Sequence, residues 1–245
     1  MILGLVLSIV GFSSAYGQLP TFSNLTGPVS KELMMTVGGG LQHRPFDGAT
    51  ALGTKPGLEL GITANLAKYS TGLGPALEDA GSSAPEIGVL PTLKLHAAKG
   101  IGEKTNIGVS AILYQGLYIV GGHIQWTLYN PEEGVNWAFR ICYSYASVMY
   151  AQVHTWSPQL VIGRKLEYAD PYIGISFINA HGLLEPDPSM TGGIPFRSTD
   201  FNYTGEAFIG LKLGHPTIGL QLVLEGSYNL AGMHTLGTKI GFGFQ

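Results

Sequence analysis

The decade Gly219-Leu220-Gln221-Leu222-Val223-Leu224-Glu225-Gly226-Ser227-Tyr228 decides the fold. Leu220, Leu222, Leu224 and Tyr228 fall on one face of an extended chain; Gln221, Glu225 and Ser227 fall on the other. That is a period of two, the signature of a strand between two different surroundings. The last segment repeats it. Leu236, Thr238, Ile240, Phe242 and Phe244 alternate with Gly237, Lys239, Gly241 and Gly243.

Working upstream, 135–145 places Val135, Trp137, Phe139, Ile141, Tyr143 and Tyr145 against Asn136, Ala138, Arg140, Cys142 and Ser144. Similar alternation runs through 58–66, 89–97, 107–113, 118–128, 156–162 and 203–213. The stretch 171–179 reads as a strand without a definable face, and 34–41 alternates weakly. Several of these segments reach the roughly 9–11 residues that a tilted transmembrane strand needs. Globular strands average about 5–6.

Charge follows the register. Glu59, Lys94, Arg140, Glu206, Lys212, Glu225 and Lys239 all lie on the polar faces of their strands. A Lys or Arg facing lipid at mid-depth costs about 2–4 kcal/mol, so a membrane barrel must segregate charge in this way. Charged residues are only 12% of the 245, against roughly 25% in ordinary soluble domains. Gly is abundant at 36 residues, while the hydrophobic share of 45% is ordinary. The expected fold is an all-β, closed, antiparallel, up-and-down transmembrane barrel. Eleven candidate strands conflict with the even number such a barrel requires. Either 34–41 lies outside the wall, giving ten, or one strand is missed, giving twelve. With ten, residues 43–56 become a periplasmic or lumenal stretch. The stretch 106–129 has no formal charge and invites reading as a membrane helix, but its two-fold alternation and the pair Gln115-Gly116 favour two strands and a turn.

If the chain ends in the periplasm, the Asn130–Gly134 turn lies there too, with Trp126, Tyr129 and Trp137 at that interface. Tyr114, Tyr118, Tyr143, Tyr145, Trp156, Tyr203 and Tyr228 fall near the other, giving two aromatic belts. The connections 67–88 and 180–201 become long outer loops, and 99–106, 166–170 and 213–216 short inner turns.

Residues 1–12 are apolar and too short to span a bilayer as a helix. Ala15-Tyr16-Gly17 matches the small-x-small pattern before a cleavage site, although no Lys or Arg precedes the apolar run. The expected organisation is a signal peptide at 1–17, an N-terminal segment at 18–56 with one possible strand, and a barrel at 57–245.

The segment Lys239-Ile240-Gly241-Phe242-Gly243-Phe244-Gln245 resembles the terminal strand of outer-membrane proteins, with the aromatic residue penultimate rather than last. Residues 91–100 (Pro-Thr-Leu-Lys-Leu-His-Ala-Ala-Lys-Gly) resemble a strand-and-turn of uncharacterised, porin-like proteobacterial outer-membrane barrels. So does His43-Arg44-Pro45-Phe46, followed by Ala51-Leu52-Gly53 and Gly57-Leu58-Glu59-Leu60-Gly61. The resemblance implies a Gram-negative outer-membrane location, contact with outer-membrane lipids and recognition of the last strand by the barrel-assembly machinery. It implies no activity.

The net charge of −3 argues against a nucleic-acid partner. One cysteine, Cys142, permits no internal disulfide. Neither His154-Thr155-Trp156 nor His215-Pro216-Thr217 supplies a His and Ser two residues apart, and Asp187, Asp200 and His181 share only a loop; an enzyme is not expected. His96, His123 and His181 lack metal-ligand spacing, so neither a metal nor another cofactor is expected. What remains is the lumen, lined by Glu59, Lys94, His96, His123, Gln125, Arg140, Glu206, Lys212, Gln221, Glu225 and Lys239. Two readings stay open: a narrow porin-like channel for small solutes, or a closed barrel filled by its own salt-bridge network, with outer loops that contact partners.

Overall fold

A computed structural model describes residues 26–54, 56–79, 81, 88–114, 117–129, 134–148, 150–191, 193, 195–214 and 219–244. The wall has ten strands: β1 (Leu58–Lys68), β2 (Val89–Gly100), β3 (Thr105–Tyr114), β4 (Leu117–Tyr129), β5 (Asn136–Val148), β6 (Ala151–Gly163), β7 (Ala169–Leu184), β8 (Ser198–Gly214), β9 (Leu220–Asn229) and β10 (His234–Phe244). Each pairs antiparallel with its neighbours, and β1 pairs with β10 from Leu58↔Phe244 to Ala67↔Thr235. The ring is therefore closed, each strand being paired on both sides over at least part of its length.

The alternation read from the sequence is the alternation of the wall. Leu95, Val109, Ile175, Ile209, Leu236 and Ile240 point outward, with more than half of each surface exposed. Their neighbours Lys94, Ser110, Ser176, Thr235 and Lys239 are buried inside. β7 also acquires a face: Tyr172, Ser176 and Ile178 point in, and Ile173, Ile175 and Phe177 point out. The protein thus carries its apolar band on the exterior and its polar groups in the centre, the reverse of a water-soluble domain.

Two sequence expectations need correcting. Residues 34–41 are not a strand; they complete helix α1 (Gly27–Leu41). Pro28 lies in the first turn, where its missing N–H costs nothing, and Lys31 to Met35 are helix formers. The weak alternation came from glycines that serve packing. A Cβ on Gly38 would lie 2.6 Å from Ala180 Cβ, and Gly39 and Gly40 face Met233 and Leu90, so the run lets the helix end press on the wall. The second correction concerns the loop expected at 180–201. β7 and β8 remain paired from Ala180↔Asn202 to Leu184↔Ser198, and only 185–197 connects them. The Gly, Pro and acidic content of that stretch hid a continuing ladder. The other long connection holds a short helix, α2 (Leu73–Asp79). The expected signal peptide at 1–17 lies outside the described residues, as does the Gln115-Gly116 turn.

α1 occupies the end of the barrel where β1–β2, β5–β6, β7–β8 and β9–β10 connect. Val29 packs with Leu73 and Leu77 of α2 and against Tyr69 and Tyr150; burial there pushes the Tyr150 hydroxyl up to about 12. Met34 packs on Ala151, Val153, Ala180 and Leu184. From Leu41 the chain leaves the helix and runs extended through the centre of the barrel. It emerges at the opposite end, where Leu52 N–H donates to Asn106 Oδ1, and then turns into β1.

Candidate functional site: the occupied lumen

Every residue from Leu41 to Ala49 is buried. This leg fills the lumen, and the wall holds it mainly through charge. Lys94 Nζ donates to the carbonyls of Leu41 (2.7 Å) and Gln42 (2.8 Å). Arg44 pairs with Glu206 and, at 3.6 Å, with Glu225. Lys239 Nζ donates to Pro45 O (2.9 Å) and to Glu59 (2.5 Å). Lys212 bridges Asp47 (2.8 Å) of the leg and Glu59 (3.0 Å) of the wall. Arg140 reaches the carbonyls of Asp47 (2.7 Å) and Gly48 (3.2 Å) and is braced by Gln125 and Gln159.

Each hold follows from the chain's periodicity. Wall residues of one parity face inward, so a charge at Lys94, Arg140 or Lys239 has no exit to water and must find a partner within the lumen. Leg carbonyls supply several of those partners. An extended segment makes few hydrogen bonds to itself, so its own backbone groups are in turn satisfied by the wall.

His96 and His123, expected in the lumen, meet a third ring that the sequence reading did not connect with them. His43 of the leg contacts Ser110 Oγ through Nδ1 (2.7 Å) and His123 Nδ1 through Nε2 (2.8 Å). The three rings form a triangle, with centroids 5.9 Å apart for His43 and His96, 5.1 Å for His43 and His123, and 6.1 Å for His96 and His123. No group of His, Cys, Asp or Glu among the described residues is arranged to hold a metal ion. Neither ring nitrogen of His96 has a hydrogen-bond partner, although Glu59 lies 3.7 Å away. His181 belongs elsewhere: it is exposed on the outside of β7, paired in register with His154 of β6.

One apolar anchor completes the hold. Phe46 adopts a positive φ of 50°, rare for a bulky residue, and its ring lies over Gly237, where any Cβ would collide with it. The ring packs with Ala49, Ala138, Val161, Tyr172, Phe208 and Val223. Gly237 is therefore required by close approach.

All nine charged or histidine positions expected to line the lumen are on the inner face. Lys94, His96, His123, Arg140, Glu206, Lys212, Glu225 and Lys239 meet the leg directly, and Glu59 meets it through Lys212 and Lys239. They line an occupied space rather than a water-filled one. Of the two places the sequence reading left for 43–56, periplasm or lumen, the structure shows the lumen; the contacts of Gln42, His43, Arg44, Phe46 and Asp47 there were not read from the sequence. The available signal was the excess of inward charges with no obvious partner on a neighbouring strand.

No protein-family model matches this chain, and no curated protein matches it. Among solved structures it is similar to the Neisserial surface protein A (TM-score 0.34, 10% identity, 76% of this chain and 97% of that one). It is also similar to the attachment invasion locus protein Ail of Yersinia pestis (TM-score 0.30, 13% identity, 75% and 95%). A third likeness is to the outer-membrane protein Omp33 of Acinetobacter baumannii (TM-score 0.29, 10% identity, 84% and 100%).

Proposed function

We propose that this chain is a Gram-negative outer-membrane barrel that is closed at rest and conducts small solutes only when residues 42–54 leave the lumen. The carrying observation is that the leg is gripped by charges. An apolar plug would resist release, because its surface avoids water. Apart from the Phe46 anchor, the released groups are Arg44, Asp47, His43 and backbone carbonyls, and the wall groups left behind are Lys94, Arg140, Glu206, Lys212, Glu225 and Lys239. Water hydrates each of these polar groups, so opening exchanges one set of polar partners for another and exposes one large apolar side chain, Phe46.

The membrane assignment rests on the exterior. Leu60, Ile62, Leu95, Val109, Ile175, Ile209 and Leu222 expose apolar surface around the ring, and Tyr129 and Trp137 mark one rim while Tyr118, Trp156, Tyr203 and Tyr228 fall near the other. The C-terminal end is assigned to the periplasm, because the longer connections, between β1 and β2 and between β7 and β8, lie at the opposite end. In this reading the lipids meet the exterior, the assembly machinery meets β10, and the chain has neither a catalytic role nor a cofactor.

The test is conductance in a planar bilayer, comparing the intact chain with a variant lacking residues 27–54. A band shift between unheated and boiled gel samples serves as the folding control. The intact chain should be almost silent and the deletion should give discrete steps, whose size changes with Arg140→Gln or Glu225→Gln. Steady current from the intact chain would refute closure. A folded but silent deletion would favour the second reading, a closed barrel whose loop face binds a partner. The packing of α1 on α2 gives that face a small core of its own.

A further inference from the structure

Two residues after the leg leaves α1, its His43 meets His96 of β2 and His123 of β4, and all three are buried. The rings are nearly parallel, with interplanar angles between 7° and 21°. The wall gives up side chains to seat them. A Cβ on Gly108 would collide with the His123 ring, and one on Gly121 would lie 2.6 Å from His43 Cβ. His43 Nε2 and His123 Nδ1 lie 2.8 Å apart. One proton fits between two such nitrogens, because one must donate and the other must accept. With both rings charged, two N–H groups would face each other across that gap. The closed pair therefore holds at most one positive charge.

The surroundings are already positive. The charges that act on the rings are Lys94 of β2, Arg140 of β5, Lys212 of β8 and Lys239 of β10, against Glu59 of β1 and Asp47 of the leg. Both anions are engaged: Glu59 accepts from Lys212 and Lys239, and Asp47 accepts from Lys212. Glu59 lies 3.7 Å from His96 Nε2, too far for a hydrogen bond, and neither ring nitrogen of His96 has a partner. Glu206 and Glu225 are held by Arg44. The neighbours of His123 in register, Gly108 of β3 and Cys142 of β5, supply no counter-charge.

We propose that His43, His96 and His123 form an acid-sensitive latch, and that protonation of these rings below neutral pH releases residues 42–54 from the lumen. The latch rests on the reading that the leg can leave. Once in water, each freed ring takes a proton near pH 6.5. The released state thus binds at least one proton that the closed state refuses, so the closed state loses stability as pH falls. Between pH 7.5 and 5.5, each refused proton shifts the balance about tenfold towards release. That window stops above the ordinary carboxylate range, near pH 4.

Cys142 tests this, being the one cysteine of the chain, inward-facing and buried. The refolded full chain in detergent micelles is treated with methyl methanethiosulfonate from pH 7.5 to 5.5. At each pH the labelling rate is divided by that of the urea-unfolded chain, which cancels the titration of the thiol itself. The ratio should rise about tenfold on acidification, with a midpoint near pH 6.5. His123→Asn should lose most of that rise, because the amide oxygen can accept from a charged His43. A rise below threefold in the intact chain overturns the latch, as does an undiminished rise in folded His123→Asn. If that variant fails the gel-shift control, the intact profile decides alone: a midpoint near 6.5 supports the latch, and a flat profile rejects it. The variant lacking residues 27–54 separates the two readings. If it folds and labels no faster than the intact chain, release and latch fall together. Fast labelling there with a flat intact profile rejects the latch only.

Discussion

Arg44→Ala is the substitution that most directly weighs the leg's attachment. It removes the cation from between Glu206 and Glu225, whose side chains are 1% and 5% exposed. Removing one partner of a buried ion pair costs about 3–5 kcal/mol, because the remaining charge is stranded without water. Some compensation stays in place. Glu206 still accepts from Gln42 and Ser227, and Glu225 from Tyr172. The lower end of that range, about 3 kcal/mol, is therefore the expected penalty on the closed state. Release of the leg relieves it by hydrating both carboxylates, while the ladder of the wall is untouched. At 1.4 kcal/mol per factor of ten, the open population should rise about a hundredfold. The assay is open probability in a planar bilayer, with gel-shift behaviour confirming a folded barrel. The triple variant Arg44→Ala/Glu206→Gln/Glu225→Gln carries no stranded charge and should return towards the parent. An open probability within twofold of the parent in folded Arg44→Ala protein would refute the reasoning. So would a triple variant that opens as readily as the single one.

Phe46→Ala empties the apolar anchor over Gly237 and should cost about 3–5 kcal/mol, read as a lowered urea midpoint, with Phe46→Leu recovering part of the loss. Leu95→Arg places a charge on an outward residue that is 67% exposed and paired with Ile62 and Ala111 in the middle of the wall. Folding into lipid vesicles should weaken by about 2–4 kcal/mol. A water-facing exterior would tolerate the change within about 0.5 kcal/mol, and that result would remove the membrane assignment.

The wall was legible in the sequence because a strand between two solvents cannot change parity without cost. Lys94 beside Leu95, Glu225 beside Leu224 and Lys239 beside Ile240 each fix a register, and one slipped residue would expose the charge. That constraint is local, so alternation alone reveals it. β7 was faceless to the reading because Gly174 and Ile178 on its inner side carry no polarity to contrast with Ile173 and Phe177. The leg's partners were illegible for a different reason. His43, Arg44 and Phe46 occur in a short run without period, and their partners lie far along the chain, at positions such as His123, Glu206 and Gly237. An extended segment inside a barrel has no face of its own; its surroundings are set entirely by the ring. The even strand count left 43–56 as a periplasmic or lumenal stretch, but nothing local decided between the two.

The central position of the leg also governs how the protein acquires its shape. Pro45 and Lys239 are 194 residues apart and Arg44 and Glu206 are 162 apart, so the contacts that hold the centre join the two extremes of the sequence. Such contacts form late and slowly, because long loops must close before they are rewarded. The seam between β1 and β10 is the last joint of the ring and lies beside Pro45 and Asp47 through Glu59 and Lys239. If that seam zips before the leg is inside, the leg must thread a finished cylinder lined with unpartnered charges. Refolding should accordingly divide into a productive route, with the leg captured as the strands gather, and a slow branch of hollow barrels awaiting their core.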